Sequence, residues 1–429
     1  MSKRSPRKAA WGICCGLAAA VMLASVVLHG AGAREWRTLS GDLRVGPATD
    51  AFLQQLMERN RVTALSVAVV DGADTVYKRT LGVVDARSRR PADESTVFRA
   101  ASLSKPVFAY LVLKFVDEGV LDLDTPVHRY LPKPLHAYPA YASFREDPRN
   151  EQLTARLLLS HQGGLPNWRR DRPDGPIAFG SAPGTRFGYS GEGYALLQLV
   201  IETVTGRNLA ALAREKVFEP LGMHDSSFLW ESRFDGRFAV DLGSPLGGLI
   251  AETRRKGNAA ASIITNASDY ARFIAAVMTG TGLTPETRAV WLEPQVAITS
   301  KSLFSAPGTD GGANRAHKLA WTTGWGTFED TNGRALFHVG MEEGCENFAE
   351  VFLERKLGVV FLSLTGNEHS FSAPLVEYAL GRTFSPLEWL EYGNAGPGPL
   401  IWLLRSLMLV GLALTAALLF YGMKRPRQP

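Results

Sequence analysis

The sequence predicts an α/β protein of the α+β type, in which one antiparallel sheet is assembled from both ends of the globular region and a helical lobe is inserted between them. Three observations carry that expectation. Near the start, Leu65 to Val70 is rich in β-branched residues, Asp71 and Gly72 give a turn signal, and Thr75 to Leu81 returns, which is a hairpin pattern. In the last third, Trp321 to Phe328, Ala335 to Val339, Phe348 to Glu354 and Gly358 to Leu364 are short β-rich runs with turn residues between them. Between the two groups, apolar residues recur at spacings of three and four, the period of helices.

Taken in order, a helical stretch near Ala51 to Arg61 precedes the hairpin, and Arg87 to Glu94 reads as polar loop. The segment RAASLSKPVFAYLVLKFVDEG, Arg99 to Gly119, is expected to hold a buried helix closed near Gly119, with Val107, Phe108, Leu111, Val112, Phe115 and Val116 at helical spacing. Pro106 is tolerated only in the first turn of such a helix, which places Ser102 at its N-terminus. Leu121 to Pro132 is turn-rich, with Pro126 starting a short helix. Lys133 to Asn150 carries three prolines among aromatic and charged residues without a period, and is read as a long surface loop.

Leu153 to Ser160 is expected to be helical, with HQGGL (His161 to Leu165) as its glycine-rich exit. Trp168 to Phe187 is rich in Pro, Gly and Arg. A helix follows from Gly193 to about Val204, closed by Gly206, then another over Leu209 to Phe218. The stretch from Trp230 to Gly257 is loop-rich, Ser268 opens a capped helix, and Ser372 to Leu380 is a final helix.

The 429 residues exceed what one hydrophobic core usually serves, so a two-lobed unit or two domains is expected. Lys3, Arg4, Arg7 and Lys8 precede an apolar run from Ala9 to Leu28 and the small triplet Ala31, Gly32, Ala33, the pattern of a signal peptide or N-terminal anchor over residues 1–33. Residues 34–383 form the globular domain and 384–399 a linker. Residues 400–423 read as a transmembrane helix, and 424–429 as a basic cytoplasmic tail. Basic residues outside both apolar segments orient the termini to the cytoplasm, so the expected location is the bacterial inner membrane with the globular domain on the periplasmic or extracellular side.

Those tails also account for the basic balance. They hold seven Lys and Arg and no acid, so the formal charge of +5 becomes −2 for residues 9–423, and a nucleic-acid partner loses its main support. Of three cysteines, Cys14 and Cys15 lie in the leader, which leaves Cys345 alone in the exported portion and no internal disulfide.

Ser102 and Lys105 carry the first piece of chemistry. Residues three apart share a helix face, so the amine comes within reach of the hydroxyl, and a desolvated lysine can accept the proton of a serine nucleophile in acyl transfer. The spacing alone is weak, since Ser5 and Lys8 match it in the basic tail, and a serine at a helix start is commonly a cap. Such a pair needs a proton shuttle and donors for an oxyanion. Tyr189, where a Pro-Gly loop meets a helix, is the candidate for the first. His338 ends a β-rich run beside Gly340, where a glycine lets a substrate approach the strand closely. Tyr189 packing under a loop and His338 as a structural histidine are the plainer readings.

Together these residues resemble the serine β-lactamase and penicillin-binding-protein superfamily, specifically the class C β-lactamase-like serine hydrolases that include esterases and D-aminopeptidases. The resemblance runs from about Asp50 to Leu380. It rests on FRAASLSK (Phe98 to Lys105), LLLSHQGGLP (Leu157 to Pro166), PGTRFGYSGEGYALL (Pro183 to Leu197), FEPLGM (Phe218 to Met223), GWG (Gly324 to Gly326) and HVG (His338 to Gly340). It implies a β-lactamase/DD-peptidase-like fold and a covalent mechanism in which Ser102 forms an acyl-enzyme while Lys105 and Tyr189 share proton transfer. The amides of Ser102 and Met341 would stabilise the oxyanion. His338 would stand for the lysine of the K-T-G version, with a weaker, pH-dependent positive charge for a substrate carboxylate. No cofactor or metal is implied.

Two departures qualify the resemblance. The family's Y-x-N motif ends here in Gly191, which removes the side-chain amide that grips a β-lactam or peptide amide and favours esterase or D-amino-acid peptidase-like hydrolysis. Glu342 and Glu343 after HVG make a cationic substrate group plausible, against the plainer reading of a solvated turn. The substrate expected is a small-molecule or cell-wall-derived acyl compound. The alternative is a membrane-tethered binding protein that holds cell-wall fragments after catalysis has lapsed. GYSGEG fails as a nucleophile elbow because Glu192 stands where glycine is needed, and eight scattered histidines offer no metal motif.

Overall fold

Residues 62–71 read VTALSVAVVD, with apolar side chains at successive positions, so a strand built from them must be covered on both faces. The computed structural model describes residues 35–85, 89–169, 176–240, 255–300, 314, 316–342, 344–365 and 371–381. Its strands in chain order are β1 (Trp36–Arg37), β2 (Leu43–Arg44), β3 (Val62–Asp71), β4 (Asp74–Asp85), β5 (Arg90–Pro91), β6 (Phe98–Arg99) and β7 (Ile264–Thr265), then β8 (Val296–Ala297), β9 (Ala320–Trp321), β10 (Gly326–Asp330), β11 (Gly333–Glu342), β12 (Cys345–Phe352) and β13 (Leu357–Thr365). The helices are α1 (Gly46–Asn60), α2 (Ser104–Asp117), α3 (Ala155–Leu159), α4 (Gly191–Thr205), α5 (Leu209–Ala213), α6 (Ala267–Thr279), α7 (Pro285–Leu292) and α8 (Ser372–Leu380).

Nine strands form one antiparallel sheet in the order β5-β4-β3-β13-β12-β11-β10-β9-β8. The early hairpin joins the late meander where β3 pairs with β13, so the sheet is built from both ends of the globular region, as its patterning predicts. The residues between β5 and β8 supply α2 to α7.

The period-two alternation of strands divides the interior into two cores. Ala64, Ala68 and Val70 of β3 and Val360, Leu362 and Leu364 of β13 pack with α2, α4 and α6 in one. Leu65, Val67 and Val69 of β3 and Val359 and Phe361 of β13 pack with Leu53 and Leu56 of α1 and Leu375 and Val376 of α8 in the other. The sheet is thus the middle of three layers.

Some expectations change in detail. Lys133 to Asn150 is no structureless loop: its prolines introduce 3-10 turns at Leu135–Ala137, Pro139–Glu146 and Pro148–Gln152, and Tyr141 and Phe144 are buried among them. Trp321 to Phe328 is two strands, β9 and β10, because Thr322 and Trp325 close a turn whose Gly324 has φ 126° and lies against Ala109 of α2. Arg90–Pro91 of the expected polar loop forms the edge strand β5. Asn266, not Ser268, caps α6, accepting from the Asp269 amide at 2.9 Å. The helix expected over Leu209 to Phe218 is α5 continued by a π turn, Arg214–Phe218.

The leader, the linker and the C-terminal apolar span lie outside the described residues. Among the described residues no helix is long and apolar enough to cross a membrane.

Phe361 is fully buried at the centre of the sheet. Phe361→Ala is expected to lower stability by about 3–5 kcal/mol, the usual cost of a large cavity, read as a lower urea midpoint.

Candidate active site

The turn that carries Ser102 is set by what flanks it. β6 pairs with β7, a 3-10 turn spans Ala101–Leu103, and α2 starts at Ser104. Ala101 has φ 48°, a left-handed conformation that an alanine holds only when its surroundings over-determine it. They do so here. Ser104 Oγ donates to the Ala101 carbonyl at 2.7 Å and accepts from the Ile263 amide at 2.9 Å, and the Tyr270 hydroxyl donates to the Leu103 carbonyl at 3.0 Å. Ala101 and Leu103 are buried while Ser102 between them keeps partial exposure.

Lys105 follows on the same face. Its Nζ stands 3.0 Å from Ser102 Oγ and donates at 2.9 Å to the Ala260 carbonyl. No side-chain cap occurs at the 3-10 turn or at α2, so capping does not occupy the Ser102 hydroxyl. The amine is wholly buried, with the rings of Tyr189, Tyr194 and Trp168 centred 4.7, 5.6 and 5.9 Å away. Burial disfavours the charged form and brings the lysine down to about 7, against the opposing pull of the Glu342 charge.

Tyr189 immediately precedes the start of α4. Ser190 caps that helix by accepting from the Gly193 amide at 2.9 Å, and its own amide donates to His161 Nδ1 at 3.1 Å. The His161 ring is centred 4.3 Å from that of Tyr189. His161 is buried, has φ 59°, and is held well below its usual pKa chiefly by burial, with the nearby Lys105 and the second imidazole of His338 opposing its protonation further. The imidazole is therefore neutral, and it helps seat the phenol. The HQGGL block is visible in the sequence, but this role is not, because it depends on a contact with a segment 29 residues away.

His338, Gly340 and Met341 lie on β11. The His338 ring is centred 6.3 Å from Tyr189 and 5.3 Å from Trp321, and its Nδ1 donates to the Val339 carbonyl at 2.7 Å. Burial, reinforced by the Lys105 charge, pushes its pKa down to about 3. The positive charge expected of it is therefore absent at neutral pH, since burial and the neighbouring amine outweigh the Val339 carbonyl, the contact that favours the proton.

A Cβ at Gly340 would overlap the Ala100 carbonyl and stand 3.1 Å from Leu103 Cγ. Only glycine lets β11 lie this close to the Ser102 turn, with Met341 next along the strand. Two residues further, Glu342 makes a two-point ion pair with Arg99, both side chains almost buried. The acid is committed to Arg99 and ties the strand to the segment before Ser102, so Glu342 is not available for a cationic substrate group. Glu343 lies outside the described residues. Cys345 is free and buried, its thiol pushed up to about 12 by burial.

The model of the Beta-lactamase family matches residues 49–379. The chain belongs to the Beta-lactamase family. Within a wider set of relatives of this family, esterase EstB of Burkholderia gladioli is 34% identical over 44% of this chain and 52% of its own length. Penicillin-binding protein 4* of Bacillus subtilis is 28% identical over 38% of this chain and 37% of its own. The chain thus spans about half or less of the length of these two curated relatives. Among solved structures, the octameric penicillin-binding protein homologue from Pyrococcus abyssi shares the fold with a TM-score of 0.61 at 20% identity, over 80% of this chain and 79% of that one.

The buried amine predicts a pH-dependent stability. Lys105 takes up its proton near pH 7 when folded and near its ordinary 10.5 when unfolded, so between these values the unfolded chain holds the extra proton and stability rises with pH. In urea unfolding at pH 7 and pH 10, wild type should gain stability relative to Lys105→Met as the pH rises. A difference that stays constant would contradict a desolvated amine.

Proposed function

We propose that the protein is a membrane-tethered serine hydrolase that works through an acyl-enzyme on ester or amide substrates, with ester or D-amino-acid peptide-like compounds preferred over β-lactams. One observation carries the reading: a dry lysine amine, poised near neutrality, 3.0 Å from the hydroxyl of a partly exposed serine. The esterase among the relatives supports it.

In the proposed reaction Lys105 takes the Ser102 proton as Oγ attacks the substrate carbonyl carbon, and the carbonyl π electrons pass to oxygen. The amides of Ser102 and Met341 hold that oxyanion. Collapse reforms the carbonyl and breaks the bond to the alkoxide or amine, which leaves with the proton returned through Lys105 and Tyr189. Water then attacks the acyl carbon, gives its proton to the same pair, and the acid departs as Oγ is reprotonated. A neutral His338 does not supply the charge expected for a substrate carboxylate, and Gly191 does not supply the side-chain amide expected for a lactam, which favours ester turnover.

A fluorophosphonate probe is expected to label wild type and not Ser102→Ala. For nitrophenyl ester hydrolysis, kcat/KM should rise with pH through an apparent pKa of about 7 as the Lys105 amine loses its proton. Lys105→Ala should lower it about 10²–10⁴-fold, and a chromogenic cephalosporin should turn over slowly. Absence of labelling in wild type, or fast cephalosporin hydrolysis, would overturn the respective parts.

The membrane tether rests on the apolar segment over residues 400–423 and the basic residues after it. Reporter fusions to the C-terminus should report a cytoplasmic end; a periplasmic one would remove the single-span reading.

A further inference from the structure

Trp168 borders the reactive amine from a loop that the start of α4 holds firmly. The Asn167 carbonyl accepts from the amides of both Gly191 and Glu192, at 2.9 and 3.0 Å, and Asn167 Oδ1 lies 3.1 Å from the Gly191 amide. On the other side of Trp168, the Arg169 amide and Nε donate to Glu192 Oε1 at 2.9 Å each, and a second guanidinium nitrogen reaches Glu192 Oε2. Glu192 is buried, with 4% of its side chain exposed, so this clasp is formed away from water on the carboxylate side.

The indole between these two anchors fills a particular space. A Cβ at Gly191 would come within 2.8 Å of Trp168 Cη2 and 2.9 Å of Cζ3, so the ring occupies what any side chain at position 191 would need. The same ring is centred 5.9 Å from Lys105 Nζ, and the residue keeps partial exposure. An apolar plane therefore borders the reacting groups at a place where Gly191 offers no polar atom.

We propose that Trp168 is a specificity-determining residue of the site, a wall that selects acyl groups with a flat or apolar portion next to the scissile carbonyl. This rests on the hydrolase reading above. Asn167, Gly191 and the Arg169 to Glu192 clasp are positioning residues for the indole. Stacking against the face of the indole favours an arylacetyl or similar acyl group over a short one.

The test uses the whole protein with nitrophenyl phenylacetate and nitrophenyl acetate, which share a leaving group and differ only in the acyl part. Wild type should prefer the phenylacetyl ester, and Trp168→Ala should reduce the ratio of the two kcat/KM values about tenfold, chiefly through KM, with Trp168→Phe recovering most of it. Gly191→Ala, which keeps the tryptophan but pushes on its ring, should move the ratio the same way. Labelling of Ser102 by a small fluorophosphonate, recorded on the same samples, reports the nucleophile separately. Labelled variants with an unchanged ratio overturn the wall alone; a wild type that neither labels nor turns over either ester overturns the hydrolase reading and the wall with it.

Discussion

A lysine amine kept dry beside a serine hydroxyl is the constraint around which the rest of the site is arranged. In water an ammonium cannot accept a proton, and in a fully apolar pocket an amine without partners is costly to bury. Lys105 is held between these limits. The rings of Tyr189, Tyr194 and Trp168 exclude solvent, while one neutral acceptor, the Ala260 carbonyl, satisfies the nitrogen without contributing a formal charge. Glu342, the acid that favours the ammonium form, is outweighed by burial and is itself paired with Arg99. The unusual backbone at Ala101 and the missing side chain at Gly340 serve the same end, because each lets two segments approach more closely than ordinary residues permit.

The parts of this arrangement that were legible in the sequence are those fixed by short-range geometry. The three-residue spacing of Ser102 and Lys105 and the period-three-and-four pattern behind them define one helix face, and that face is what the fold presents. The turn and β-rich patterns around β3, β4, β11, β12 and β13 were readable because long strands buried on one or both faces leave runs of apolar residues. Two-residue strands such as β8 and β9 leave no such trace, and the break at Gly324 is decided by contact with Ala109 in another element.

What the sequence could not show is electrostatic and through-space. His338 looks like a pH switch when considered alone, but its burial and the nearby amine remove the charge. Glu342 and the adjacent acid read as a solvated or substrate-facing patch, but Arg99, 243 positions away, takes the first of them. His161 and Trp168 belong to a loop whose importance follows from hydrogen bonds to the start of α4. In each case the deciding partner is distant along the chain and near in space, which spacing rules do not reach.

The pairing of β3 with β13 has a further consequence for how the chain is made. Val62–Asp71 emerges early from the ribosome, but its neighbour in the sheet is Leu357–Thr365, so the middle of the sheet cannot close until almost the whole domain has been synthesised. The helical lobe between them is completed first and must wait, with the apolar face that will meet the sheet still uncovered. Closure of the sheet is therefore a late event in the folding of the domain, because it waits on strands that lie far apart along the chain.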